Sequence, residues 1–341
     1  MRKLPNRGGY RLRIGYYCPD ALGDMIASLD MLYAIKHIYN AKIIVFAKNN
    51  TFSLLKNLTF IDTIEILKNP TSKDNIAKIN QHNLDYILSY KANTFLIKQF
   101  IKSNAKKIIT RLKIRSFFSI KCRTIWIKLI TRLYKKRTER DRLLFYARKI
   151  NTKIFDEKIK NLEFKTQIQS NLTHKNLITN FLNQSKIKDF IILNPFSITS
   201  NSTLDTISFL KLAKNIKQNY PKISIIVPTY DLVHDDFMDK LLGYDKNLLK
   251  EIVIFKNNDD ILNLAELISR SICVISPSTG LIHIATNLKI SSIALYPPKD
   301  EIFWPTYNND YVFIKKSKDE LSEDEKRELI VDITRRLEKY L

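Results

Sequence analysis

Residues 272–304 read as strand, sharp turn, helix and second strand, an order that confines a chain to parallel α/β architecture. ICVIS (272–276) is a short apolar run of strand type. Pro277 stops it, Ser278 is of a type that caps helices, and Thr279–Leu288 follows with Ile282, Ala285 and Leu288 at helical spacing. SSIALY (291–296) is strand-like again, so the segment is one βαβ unit. Its turn, from Ser276 to Thr279, would then sit at the carboxyl end of a strand, where open α/β sheets bind ligands. A helix starting there offers free N–H groups and a positive dipole end to an anion such as a diphosphate.

The same alternation runs through the chain. YRLRIGYY (10–17) predicts a strand, CPDALGD (18–24) a turn, and MIASLDMLYAIKHIY a helix beginning near Asp24. AKIIVFA (41–47), IDTIEIL and NLDYILSY (83–90) continue the strands ahead of a basic region read as helical. FIILNPFS (190–197), KISIIVPTY (222–230) and EIVIFKN (251–257) open a second series, with helices at 204–219 and 259–271. The tail carries a Ser322…Glu325 capping box and predicts a helix. The polar stretch from Lys149 to Lys188 suits a junction, giving expected domains of 1–165 and 166–320 and a terminal helix at 321–341. Of only 6 glycines, Gly23 and Gly280 lie in the two turns singled out, where the backbone bends or a ligand approaches.

Charge is the compositional outlier, at +23 over 341 residues. From Lys98 to Lys149 there are eighteen Lys or Arg and two acids, Glu139 and Asp141. Within that stretch Lys121, Arg123, Lys128 and Arg132 alternate with Phe117, Ile120, Trp126, Ile127 and Ile130, a mixture suited to an anionic membrane surface or lipid headgroup. A solvated basic helix is the plain alternative. No helix-turn-helix, RNP, KH or zinc-finger pattern accompanies the charge, so nucleic acid is not the expected partner. No apolar run approaches the roughly 18–20 residues of a membrane-crossing helix. Three scattered cysteines form neither a disulfide framework nor a zinc site.

GDMIASLDMLYAIKHIY, NPFSITSN and LAELISRSICVISPSTGLIHIATNLKISSIALYPPKDEIFW, in that order, resemble the bacterial glycosyltransferase family 9, which includes the heptosyltransferases of the lipopolysaccharide inner core. ERDRLLFYARKI (139–150) is similar to the family's helix near the domain junction. The resemblance spans about 24–304. It implies a GT-B fold: two Rossmann-like α/β domains facing across a cleft, acceptor on the first, nucleotide sugar on the second, and a C-terminal helix crossing back to the first. It further implies a cytoplasmic enzyme, peripheral on the inner membrane, that needs no cofactor beyond a nucleotide-sugar co-substrate, ADP-heptose being the family's commonest. The acceptor would be an anionic glycolipid, with Lys121, Arg123, Trp126, Lys128 and Arg132 contacting it or the membrane.

Inverting transfer requires a carboxylate to take the proton of the attacking hydroxyl. Asp24, at a helix start beneath the implied cleft, is the candidate and matches the family's catalytic Asp. The departing nucleoside diphosphate needs N–H or cationic stabilisation. No Asp-x-Asp occurs, so no metal site of that kind is expected, and helix dipoles with hydroxyls are the candidates instead. Ser197, Thr199, Ser200 and Asn201, with a helix start near Thr203, are expected to hold one phosphate; Ser278, Thr279 and Gly280 the other; His283 lies one turn further in. Two positions depart from the family. Ser278 stands where Asp is usual, and Asn201 or its neighbours where the phosphate-loop Lys is expected. A weakly active or inactive nucleotide-sugar-binding relative, or a basic nucleic-acid-binding protein, are the alternative readings. A Rossmann-type epimerase is disfavoured because no GxGxxG follows the first strand.

Overall fold

Among the described residues, twelve short strands form two parallel sheets. In the computed structural model, which describes residues 11–19, 21–69, 72–134, 138–197, 200–258 and 260–341, the chain divides into two compact units, Met1–Thr166 and Gln167–Leu341. The first unit contains β1 (Arg13–Cys18), β2 (Lys42–Ala47), β3 (Thr63–Ile66), β4 (Tyr86–Ser89), β5 (Lys107–Arg111) and β6 (Cys122–Ile125), in the order β3-β2-β1-β4-β5-β6. The second contains β7 (Phe190–Leu193), β8 (Ser224–Thr229), β9 (Ile252–Lys256), β10 (Cys273–Pro277), β11 (Ser291–Tyr296) and β12 (Asp310–Phe313), in the order β12-β11-β10-β7-β8-β9. Each half is thus an α/β sheet of the same doubly wound order.

The composition of the strands explains the layering. IIVFA in β2, FIIL in β7 and IALY in β11 are continuous apolar runs, as strands covered by helices on both faces must be. Helices Leu22–Tyr39 and Gly280–Leu288 both end on a non-glycine residue in the left-handed region, Asn40 (φ 50°) and Lys289 (φ 61°). In each sheet the strand order reverses once, between β1 and β4 and between β7 and β10. Loops leaving the carboxyl ends of those strand pairs diverge to opposite faces and leave a crevice between them.

Several sequence expectations are corrected. The basic region beyond Lys98 is not wholly helical, since it contributes β5 and β6. The helix expected from 204 begins at Thr206, and β12 (DYVF) adds a strand. The terminal helix, Glu323–Leu337, has the capping box expected of Ser322 and Glu325. Its buried face contributes to the core of the second unit. Ile330, Ile333 and Leu337 pack there with Leu210, Ala213 and Val312. Arg336 seals the contact through Asp310, with Nη1 2.6 Å from Oδ1, and Lys211 reaches Glu323 at 2.8 Å.

Candidate active site

In the second unit, the polar groups gather at the strand-order reversal. Asn194, buried just after β7, donates from Nδ2 to Ser276 Oγ at 2.8 Å and towards Thr279 Oγ1 at 3.4 Å. Ser276 and Thr279 share a 3.0 Å hydroxyl contact. These bonds fix the turn in which β10 gives way to the helix Gly280–Leu288. Thr279 occupies the cap position in extended backbone and makes no side-chain cap bond, so its hydroxyl does not take up the helix's leading N–H groups. Such an end receives an oxyanion.

Ser278 does not cap this helix. Its hydroxyl donates to Asp300 Oδ2 at 3.0 Å, and Asp300 opens the short helix after β11. His283, one turn inside, meets Trp304 edge to face with ring centroids 4.7 Å apart. Ser278, Thr279, Gly280 and His283 therefore form one cluster with Asn194, Ser276, Asp300 and Trp304, which the sequence reading did not name as site residues.

The hydroxyl loop after β7 is built differently. Ser197 Oγ accepts from the Ser200 N–H at 3.0 Å, and the Asn201 carbonyl accepts from Lys318 N at 2.9 Å. Thr199 lies outside the described residues. The helix expected to start near Thr203 starts at Thr206, and its end is already occupied. Asp205 accepts from Ser208 N at 2.8 Å while Lys326 Nζ sits 2.9 Å away. Burial alone would raise the Asp205 carboxyl, but the Ser208 N–H and Lys326 outweigh it and hold the pKa below the usual range. Asp205 already takes that helix end, so Ser197, Ser200 and Asn201 can reach a phosphate only from the loop.

In the first unit, the reversal between β1 and β4 brings a carboxylate and a cation together. Asp24 lies in the first turn of Leu22–Tyr39, and Lys91, two residues beyond β4, donates to its Oδ1 at 2.6 Å. Beside them Tyr90 donates to Glu139 Oε2 at 2.7 Å, and Arg142 Nη1 lies 3.4 Å from the same oxygen. Burial, aided by the charge of Asp24, pushes the Glu139 carboxyl up against the pull of Tyr90, Arg142 and Lys91. Burial and Glu139 push the Tyr90 phenol up as well, so it remains a hydrogen-bond donor.

Tyr90 and Arg142 also border a cavity of about 700 Å³ whose wall includes Arg111, Lys113, Trp126, Lys128 and Arg132. Among the described residues five cations and no acid line it, so it is electrostatically fitted to a multiply anionic ligand. Trp126, Lys128 and Arg132 are thus brought together. Lys121 and Arg123 are not. Lys121 Nζ donates to the carbonyls of Ile101 and Ser103, and Arg123 Nη1 to those of Lys149 and Ile150. Among the described residues, no group of three His, Cys, Asp or Glu could hold a metal ion.

Residues 256–332, which contain the whole turn from Ser276 to Gly280 together with Asp300 and Trp304, match the model of glycosyltransferase family 9 (heptosyltransferase). This segment, less than a quarter of the chain, is similar to that glycosyltransferase family. Solved structures add a likeness in fold. A family 9 glycosyltransferase from Veillonella parvula aligns with a TM-score of 0.72 at 12% identity, over 94% of this chain and 97% of its own. E. coli ADP-heptose lps heptosyltransferase II aligns at 0.72 and 14% identity, over 96% and 100%. E. coli heptosyltransferase WaaC with ADP-2-deoxy-2-fluoro heptose aligns at 0.64 and 12%, over 95% and 100%. At such identities the likeness is one of fold, the two-sheet α/β architecture of GT-B. No curated protein matches this chain in sequence.

Proposed function

We propose that this protein is a glycosyltransferase that moves a heptose from ADP-heptose onto an inner-core acceptor of lipopolysaccharide or lipooligosaccharide, with inversion and without a metal ion. The observation that carries the acceptor reading is the cation-lined cavity beside Asp24, joined to it through Tyr90, Lys91 and Glu139. Phosphates and acid-sugar carboxylates are the anions such a wall recognises. The donor reading rests on the uncapped helix end at Gly280 and on relatives whose names carry ADP-heptose.

In this reaction the acceptor hydroxyl attacks the anomeric carbon while its proton passes to Asp24. Lys91 engages Oδ1, leaving Oδ2 to receive the proton. The bond from the anomeric carbon to the diphosphate oxygen breaks on the opposite side. The charge that develops there is met by the N–H groups at the start of Gly280–Leu288. The acceptor is membrane-held, and the enzyme works at the cytoplasmic face of the inner membrane; among the described residues no helix is long and apolar enough to cross it.

A second reading, a nucleotide-sugar-binding relative with little turnover, is favoured by Ser278 and by Asn201 or its neighbours standing where a phosphate-loop Lys is expected. Asp300 offsets the first of these by supplying a carboxylate 3.0 Å from Ser278. Thermal unfolding with ADP, UDP, GDP, CMP and ADP-heptose, followed by transfer assays, tests the proposal. Stabilisation by ADP and ADP-heptose, with turnover that Asp24→Ala abolishes, is the expected result. Binding without turnover would establish the second reading, and stabilisation by another nucleotide would change the donor.

A further inference from the structure

The segment KIRSFFSIK (113–121), between β5 and β6, displays its large apolar side chains to solvent. Ile114 is 81% exposed, Phe117 60%, Phe118 80% and Ile120 93%, and Trp126, Leu129 and Leu133 extend the apolar surface beyond β6. Isolated exposed apolar residues need no explanation, but a contiguous set marks an interaction surface. The segment is also firmly held. Buried Ser116 accepts from Lys113 N at 2.8 Å and donates to the Lys113 carbonyl at 2.8 Å. At the other end Lys107 Nζ donates to the Ile120 carbonyl at 3.0 Å, and Lys121 is tied to the carbonyls of Ile101 and Ser103. The backbone is fixed so that the side chains face outward.

Two occupants suit an apolar wedge: a second copy of the chain or a lipid surface. Charge decides between them. From Tyr86 to Thr138 the sequence holds fifteen Lys or Arg and not one Asp or Glu. A second copy would set this face against its own like, or against a surface whose acids lie elsewhere. A bilayer with anionic headgroups offers negative charge at the level of Lys113 and Arg115 and hydrocarbon just beneath it. We infer that residues 114–120 are a membrane-insertion wedge, with Ile114, Phe117, Phe118 and Ile120 entering the acyl boundary of an anionic phospholipid bilayer while the flanking cations hold its headgroups. The inference deepens the proposed function, which already requires a membrane-held acceptor, by naming the surface that meets the lipid.

The test is flotation of the full chain with vesicles of phosphatidylcholine alone or mixed with phosphatidylglycerol, with no glycolipid or nucleotide present. The wild type is expected to float with the anionic vesicles only, and less at high salt. F117S/F118S/I120S should lower the vesicle-bound to free ratio by at least about tenfold, since three apolar anchors are lost. Its melting temperature should not change, because these side chains stand in solvent; I120S alone, at the most exposed position, provides a second variant should the triple one melt early. Equal flotation of wild type and variants would overturn the inference in favour of charge alone, as would absence of wild-type binding. A wild-type dimer that the variant dissolves, without vesicle binding, would assign the face to a second copy. The ADP-dependent melting shift, read separately, should be the same in wild type and variants, so a failed donor assignment and a failed wedge give different results.

Discussion

Ser278 donates its hydroxyl to Asp300 Oδ2 at 3.0 Å, joining the turn after β10 to the first residue of the helix after β11. A carboxylate therefore stands beside the anion-accepting turn even though the turn itself carries serine where the family has aspartate. The arrangement predicts that Ser278→Asp harms the site. Two carboxylates would then share hydrogen-bond distance, and like charges so placed cannot both ionise without cost. ADP-heptose affinity should fall about tenfold, a change of roughly 1.4 kcal/mol. The exchange S278D/D300S should recover most of that loss. Calorimetric titration of the two single variants and the double variant decides the matter: additive losses would show that the two positions act independently.

Asp24 and Lys91 come from opposite sides of the strand-order reversal in the first sheet and meet at 2.6 Å. Asp24→Asn keeps shape and hydrogen bonding but cannot take a proton. It should lower kcat/KM by about 10²–10⁴-fold while leaving ADP affinity unchanged. Lys91→Met should slow transfer less, by about tenfold, because it disturbs only the position of the carboxylate. Lys91→Arg should retain most activity. Steady-state kinetics give the comparison, and an Asp24→Asn enzyme of wild-type rate would remove Asp24 from the chemistry.

What the sequence made legible follows from how local each feature is. The βαβ unit around Ser276–Thr279 was readable because its strands are continuous apolar runs and its helix has clear spacing. The edge strand β6, CRTI, was not, because two of its four residues are polar and one is a cation among many. The pairings that assemble the site were also hidden. Asn194 lies 82 residues from Ser276, Lys91 67 from Asp24, and Asp300 22 from Ser278. Each pair meets only because parallel strands place their carboxyl ends side by side, a consequence of strand order that no local pattern encodes. The misplaced helix start near Thr203 had a readable signal, an Asp followed by a Thr at 205–206, but the hydroxyls before it competed for the cap.

Gly15, in β1, has no room for a side chain. A Cβ there would stand 2.5 Å from Leu84 Cδ1 and 3.1 Å from Phe46 Cε2, both within the first unit's core. Gly15→Ala should therefore destabilise the first unit by about 1–3 kcal/mol, since Leu84 must leave its packed position. Leu84→Ala should relieve the clash, so that the double variant loses less than the sum of the two single changes. Chemical denaturation of the single and double variants measures the coupling, and simple additivity would mean that the core accommodates the methyl without strain.

Glu139 offers a prediction in pH. Its carboxyl titrates above the ordinary value of 4.5, first because it is buried and further because Asp24 is near, against the opposing effects of Tyr90, Arg142 and Lys91. The folded state then binds this proton more tightly than the unfolded chain does. The stability contributed by protonation is fully present below the unfolded value and is lost as pH rises through the higher folded one. Glu139→Gln keeps an oxygen for the Tyr90 hydroxyl but never ionises. Its melting temperature should approach that of the wild type in mild acid and exceed it increasingly as the pH is raised to neutrality. All other titrating groups are common to the two proteins, so the difference between their melting curves isolates this one carboxyl. If that difference stays constant from mild acid to neutrality, burial does not govern the state of Glu139, and the Arg142 and Lys91 charges hold it ionised throughout.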